Sequence, residues 1–273
     1  MSTPQPGILL PLPPLCRYLV FSLEPDTDVA AGLTALRQVA DGEHTVAGIG
    51  QAPLSAIGRK LPGLKPFPPL SGPGIDIPST PAALWLWLRG DDRGELLLRS
   101  RHIEQALAPV FRLQESCDGF KHDTGRDLTG YEDGTENPTG EAATAAAIAA
   151  DGSSLVAVQR WLHNFSRFDA MQPEDRDNCI GRRRSDNEEL DDAPESAHVK
   201  RTAQESFSPE AFLLRRSMPW ADGMDAGLMF VAFGHTLDAF QAQMRRMIGL
   251  EDGIVDALFR FTRPVSGAYF WCP

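Results

Sequence analysis

The sequence predicts an α+β fold made of two β-α-β-β-α-β units in tandem, and three observations carry that expectation. Short apolar runs alternate with amphipathic stretches along all 273 residues, the same order of elements occurs twice, and an alanine-rich segment lies between the two occurrences. At 42% hydrophobic residues, the chain has enough apolar mass for a sizeable core shared by two packed halves.

Residues 4–14 are a proline-rich arm. Residues 17–23 (RYLVFSL) then read as a strand, residues 28–39 carry Val29, Leu33, Leu36 and Val39 at helical spacing, and residues 44–50 return as a strand. Residues 61–81 are crowded with Pro and Gly and read as irregular. The run AALWLWL, residues 82–88, is a strand, residues 96–107 a helix and residues 110–115 a strand, which completes the first unit. Residues 141–150 form a helical bridge, because alanine favours helix. In the second unit, residues 155–164, 212–218 and 227–233 are strands and residues 173–182 a short helix. Residues 236–248 form the last helix: Thr236 is placed to cap it, Leu237, Phe240, Met244, Met247 and Ile248 make one face, and Gly249 follows. Residues 259–261 and 268–271 supply closing strands. Two ferredoxin-like halves follow, residues 1–140 and 141–273, with a space between sheets and helices able to take a buried ligand.

Composition excludes some partners. There are 37 acidic and 26 basic side chains, a formal net charge of −11, and no long basic run, so neither nucleic acid nor anionic lipid is an expected partner. The cysteines, Cys16, Cys117, Cys179 and Cys272, are scattered without zinc-like spacing and fit unpaired thiols in a reducing compartment. The N-terminus lacks the pattern of a signal peptide, and no window reaches the roughly 18 apolar residues of a membrane span, so the expected location is cytoplasmic, with no membrane partner.

Chemistry first shows in the run GYEDGTENPTG, where Gly130 and Gly134 flank Asp133 and Pro138 follows. Such a run presents its carboxylate from irregular backbone, although the same residue types also make ordinary surface turns. No two of the six histidines lie three to five residues apart, so a paired zinc site is absent. One imidazole, His198 in PESAHVKR, is placed in a loop after an acidic stretch and is a candidate for a single axial bond to haem iron. In FLLRRSMPW, period two puts Arg215 and Ser217 on one face, so both are expected to enter the same space. A fixed positive charge there suits peroxide cleavage, where negative charge develops on the departing oxygen.

Taken together, GxxDG with TENP, IGRRRSDNEEL, AHVKR, LRRSMPW and FRFTRPVSGAYFW resemble, in order and spacing, the dye-decolorizing peroxidases, and most closely the short bacterial class B members. The resemblance implies a fold of the dimeric α+β barrel type, with one haem b per chain held in the C-terminal half. By position it implies His198 as the iron's axial ligand, Asp133 and Arg215 as distal catalytic residues, and Ser217 as a distal hydrogen-bonding residue. It also implies that Arg182 pairs with a haem propionate and that Asp256 is the carboxylate behind His198. The implied reaction reduces hydrogen peroxide and oxidises a phenolic, dye-like or Mn(II) donor in one-electron steps, with Tyr131, Trp161, Trp220 and Trp271 as candidate electron relays. A homo-oligomer is implied as well. Some relatives are encapsulin cargo, but no docking tail follows the closing strand, and a haem-binding or iron-release protein is the alternative reading.

Overall fold

The computed structural model describes residues 3–273. Its first unit runs β1 (Leu15–Leu23), α1 (Val29–Val39), β2 (Thr45–Ile49), α2 (Gln51–Ala56), β3 (Leu70–Gly72), β4 (Ile75–Ile77), β5 (Leu84–Gly90), α3 (Arg93–Leu107) and β6 (Phe111–Phe120). The helix α4 (Gly140–Ala147) leads into the second: β7 (Ser154–His163), α5 (Phe165–Ala170), α6 (Pro173–Ile180), α7 (His198–Thr202), β8 (Leu214–Arg215), β9 (Met218–Asp222), β10 (Asp225–Gly234), α8 (Asp238–Met247), β11 (Thr262–Pro264) and β12 (Ala268–Cys272).

Local chemistry sets most boundaries. Asp28 accepts a hydrogen bond from the Ala31 N–H and Asp92 one from Glu95, each satisfying a free amide at a helix start. Pro173 opens α6, and Gly181 ends it at φ 91°, a left-handed angle that suits glycine.

The two halves share one sheet, as the barrel-type fold implied by the resemblance requires. Ten strands form one sheet in the order β11-β7-β12-β2-β5-β1-β6-β9-β10-β8, and β7 also pairs with β10, which closes it into a barrel. Each half keeps the ferredoxin-like arrangement, β6-β1-β5-β2 in the first and β12-β7-β10-β9 in the second. Single bridges, Trp271 to Ile49 and Gly119 to Trp220, join the halves. Alternation along the strands then makes two cores. Tyr18, Trp85, Trp87, Val158, Trp220, Phe233 and Phe270 pack together inside the barrel. Leu19, Leu84, Leu86, Leu88, Leu155 and Trp161 pack outside it, with Leu36, Ile103, Phe240 and Met244 of the helices.

Several elements depart from the sequence expectations. The irregular stretch 61–81 contains the hairpin β3–β4, and α2 and α5 were not expected. Helix α8 begins at Asp238 with Leu237 as its cap, and Thr236 instead accepts from the Asp238 N–H at 3.3 Å. Residues 259–261 are not a strand, because the Asp256 carboxylate accepts the Leu258 N–H and starts a 3-10 turn, Ala257–Arg260. The expected strand 212–218 is broken between β8 and β9, where the Val231 N–H donates to the Ser217 hydroxyl rather than to a backbone carbonyl. His198 stands at the first position of the short helix α7 rather than in a loop.

Candidate active site

Between the outer face of the second half and its helices lies a cavity of about 880 Å³, its open mouth included. The sheet contributes Gln159, Trp161 and His163 from β7 and Leu228 and Phe230 from β10, two sets of alternate residues that project to one side. Helix α8 adds Phe240, Gln243, Met244 and Met247, and α7 adds His198 and Thr202. The glycine-flanked loop reaches across from before α4 and supplies Tyr131, Glu132 and Asp133.

Three of the residues singled out from sequence, His198, Asp133 and Arg215, line this cavity together. His198 Nδ1 lies 2.8 Å from Asp256 Oδ2, and the Asp256 side chain is fully buried. The other Asp256 oxygen accepts the Leu258 N–H, so both ends of the carboxylate are engaged and the imidazole is held with Nε2 free of protein partners. Arg215 is half-buried, and its Nε finds no hydrogen-bond partner. An unanswered guanidinium atom beside an apolar cavity calls for an acceptor from outside the protein.

The backbone of Arg215 is fixed from the loop. Asn137 accepts from the Arg215 N–H at 2.8 Å and donates to its carbonyl at 3.0 Å. Burial pushes the Asp133 carboxyl above the usual carboxylate range, and the nearby negative charge of Asp127 adds to this, while the positive charge of Arg215 opposes it. Burial would also raise Asp127. Its hydrogen bonds from His163, at 3.0 Å, and from Thr129 outweigh that effect and hold it below the usual range.

Ser217 does not share the main cavity with Arg215. The break in the strand turns it into a smaller adjoining cavity, where it stands with Asp133, Asn137 and Arg215. Arg182 lines neither cavity, and its guanidinium is paired with Glu136 at 2.7 Å and Glu189 at 2.9 Å. Of the aromatic residues named as relays, Tyr131 and Trp161 line the main cavity, while Trp220 and Trp271 do not.

Sequence reasoning missed Gln159, the His163–Asp127 pair and Asn137. Gln159 is fully buried on the cavity wall, accepts from Trp161 Nε1 at 3.2 Å and leaves its own amide N–H groups without a partner. A signal was present: Gln159 and His163 are the polar positions on the face of β7 that otherwise carries Leu155, Ala157 and Trp161. Asn137 stood within the TENP extension, but its reach to Arg215 spans 78 positions.

A family model described as Dyp-type peroxidase, C-terminal, matches residues 124–273. A dye-decolorizing peroxidase of Rhodococcus erythropolis is 30% identical over 100% of this chain and 87% of its own length. Among solved structures, a dye-decolorizing protein from V. cholerae is similar with a TM-score of 0.89 at 28% identity, covering 98% of this chain and 96% of the other. A DypB variant from Rhodococcus jostii RHA1, in complex with heme, gives 0.89 at 27% identity, covering 98% and 95%. Likeness in sequence and in fold runs the length of the chain and takes in the segments that build the cavity: the chain belongs to the dye-decolorizing peroxidase family.

Proposed function

We propose that the cavity holds haem and that the protein is a haem-dependent peroxidase, reducing hydrogen peroxide at the expense of a phenolic or dye-like donor. The observation that carries this reading is the His198–Asp256 pair on the same cavity wall as Arg215. The residues fit the group: an imidazole with one free nitrogen suits iron, Leu228, Phe230, Met244 and Met247 suit a porphyrin face, and Arg215 and Gln159 bring unanswered donors. A heme complex of a structural neighbour supports the same assignment. When bound, haem supplies the iron at which peroxide is cleaved and the redox equivalents that the donor returns.

The chain's own residues then have separate tasks. His198 binds through Nε2, while Asp256 accepts its Nδ1–H and makes the ring a stronger electron donor. Asp133 takes a proton from one peroxide oxygen and returns it to the other, which requires the carboxylate form. The guanidinium of Arg215 stabilises the oxygen that leaves as an anion. In this scheme Ser217 hydrogen-bonds from the adjoining cavity. Arg182 reaches a propionate only by exchanging one of its two carboxylate partners.

The proposal extends to a homo-oligomer in the cytoplasm. All four cysteines are buried and unpaired, as suits a reducing compartment, and no helix among the described residues is long and apolar enough to cross a membrane. Mn(II) is a further donor in this reading, which is supported by a structural neighbour, a DypB variant in complex with manganese. The test is an absorption spectrum of haem-loaded protein before and after one equivalent of hydrogen peroxide. A Soret band that changes with peroxide and returns when a phenol is added is the expected result, with His198→Ala losing the haem. A bound haem indifferent to peroxide would turn the reading toward haem or iron handling.

A further inference from the structure

A second imidazole, that of His163, lines the cavity assigned to haem. Both of its nitrogens are taken, which closes it to iron: Nδ1 lies 2.7 Å from the Thr262 hydroxyl and Nε2 3.0 Å from Asp127 Oδ2. Phe165 and Phe261 stand edge-on to the ring, at centroid distances of 5.7 and 6.3 Å, and hold its plane. The His163 and Asp127 side chains are only 5% and 14% exposed, so solvent screens the pair little.

Asp127 in turn organises the loop that carries Asp133. Its N–H donates to the Tyr131 carbonyl and its own carbonyl accepts from the Gly130 N–H, both at 2.8 Å, which closes a tight turn. The second carboxylate oxygen, Oδ1, accepts from the Thr129 N–H at 2.8 Å and from the Thr129 hydroxyl at 2.6 Å. Beyond the turn Arg126 pairs through its backbone with Glu132, and the Asp133 N–H points back to the Gly125 carbonyl at 3.4 Å. The acid is thereby tied to the arm that holds Asp127, and both carboxyls line one cavity. There the charge of Asp127 works against ionisation of Asp133, while Arg215 from β8 and His198 from α7 work for it.

We infer that His163 and Asp127 are a positioning pair for Asp133: His163 pins the loop to strand β7 and keeps Asp127 charged, and that charge sets the lower pH limit of peroxide cleavage. The inference rests on the peroxidase reading through the proton that Asp133 carries.

The experiment has two readouts against pH. The Asp133 carboxyl is followed by NMR in the full chain without haem, labelled at the aspartate carboxyl carbon, its resonance being the one lost in Asp133→Asn. The peroxide rate of haem-loaded protein is followed by stopped flow. Asp127→Asn keeps the shape without the charge, so its Asp133 midpoint should fall by roughly one pH unit and the acid limb of the rate should move down with it. His163→Leu leaves Asp127 buried without its donor, so Asp127 takes up a proton and the same fall is expected. His163→Gln returns an N–H near the Nε2 position and should stay close to the parent. A pair that only held the loop together would slow the reaction at every pH and would not extend it to more acid conditions. An Asp133 midpoint that stays in place or rises in Asp127→Asn overturns the inference. A midpoint that falls while the acid limb stays overturns instead the reading of Asp133 as proton carrier, which keeps the two failures apart.

Discussion

At the scale of single residues, the site rests on groups whose chemistry differs although they share one cavity. Arg215→Leu should retain haem, and the first spectral change after mixing with peroxide should slow by roughly 10²- to 10³-fold, the usual effect of removing one preorganised charge-stabilising group. Stopped-flow absorbance checks it. Asp133 is more delicate, because its folded-state pKa is raised, mainly by burial. A raised value stabilises the fold below the unfolded carboxylate pKa of about 4, and this contribution is lost as pH rises through the folded value. Asp133→Asn should therefore be more thermostable than the parent at pH 7, and by more than at pH 4, while losing the acid limb of its peroxide rate profile. Melting curves at the two pH values and the rate profile decide. His198, Asp133 and Arg215 were legible because their motifs stand at fixed spacing in one sequence. Ser217 does share a space with Arg215, but it is the adjoining cavity rather than the main one, because the strand breaks where Ser217 accepts the Val231 N–H. Arg182 was assigned without its protein partners, Glu136 and Glu189, and Glu136 lies 46 positions away.

At the scale of elements, α7 poses a problem, since five residues cannot form a stable helix alone. Arg201 holds it, donating twice to Asp252, both at 2.7 Å, and once to the Arg246 carbonyl at 2.8 Å. The hydrogen bonds from Arg201 lower the Asp252 carboxyl to about 2. A lowered value contributes stability above the ordinary carboxylate pKa and loses it as pH falls through the folded one. Haem release to a competing apoprotein should accelerate between about pH 4 and about pH 2. Arg201→Met should show fast release already at pH 7, with stability lower by about 1–3 kcal/mol in a urea titration. Among the elements, those with strong periodicity or caps, such as α1, α3 and β5, were legible. The hairpin β3–β4, with three residues in each strand, and the 3-10 turn at Ala257 were not, because side-chain capping and tertiary contacts decide such short pieces.

At the scale of the whole molecule, the sheets of the two halves join through two single bridges, the Thr80 N–H donates to the Gly267 carbonyl, and the inner faces form one continuous core. The resemblance implied the barrel, but nothing in either repeat marks which sheet edges meet, so the particular strand pairs that close it were not legible. The halves are therefore expected to unfold together. Gly48 tests this: a Cβ there would lie 2.7 Å from the Phe270 Cβ of the other half. Gly48→Ala should cost about 1–3 kcal/mol through overpacking and lower the midpoints of far-UV dichroism and of the Soret band equally. Two separated midpoints would show the halves to be independent. Asn137, finally, matters beyond catalysis. Strand β8 ends the sheet order, and its Arg215 would otherwise offer a free N–H and C=O to any extended chain that came near. By filling both with one amide, Asn137 takes the place of an adjoining strand, so the loop that carries the acid also seals the sheet against self-association.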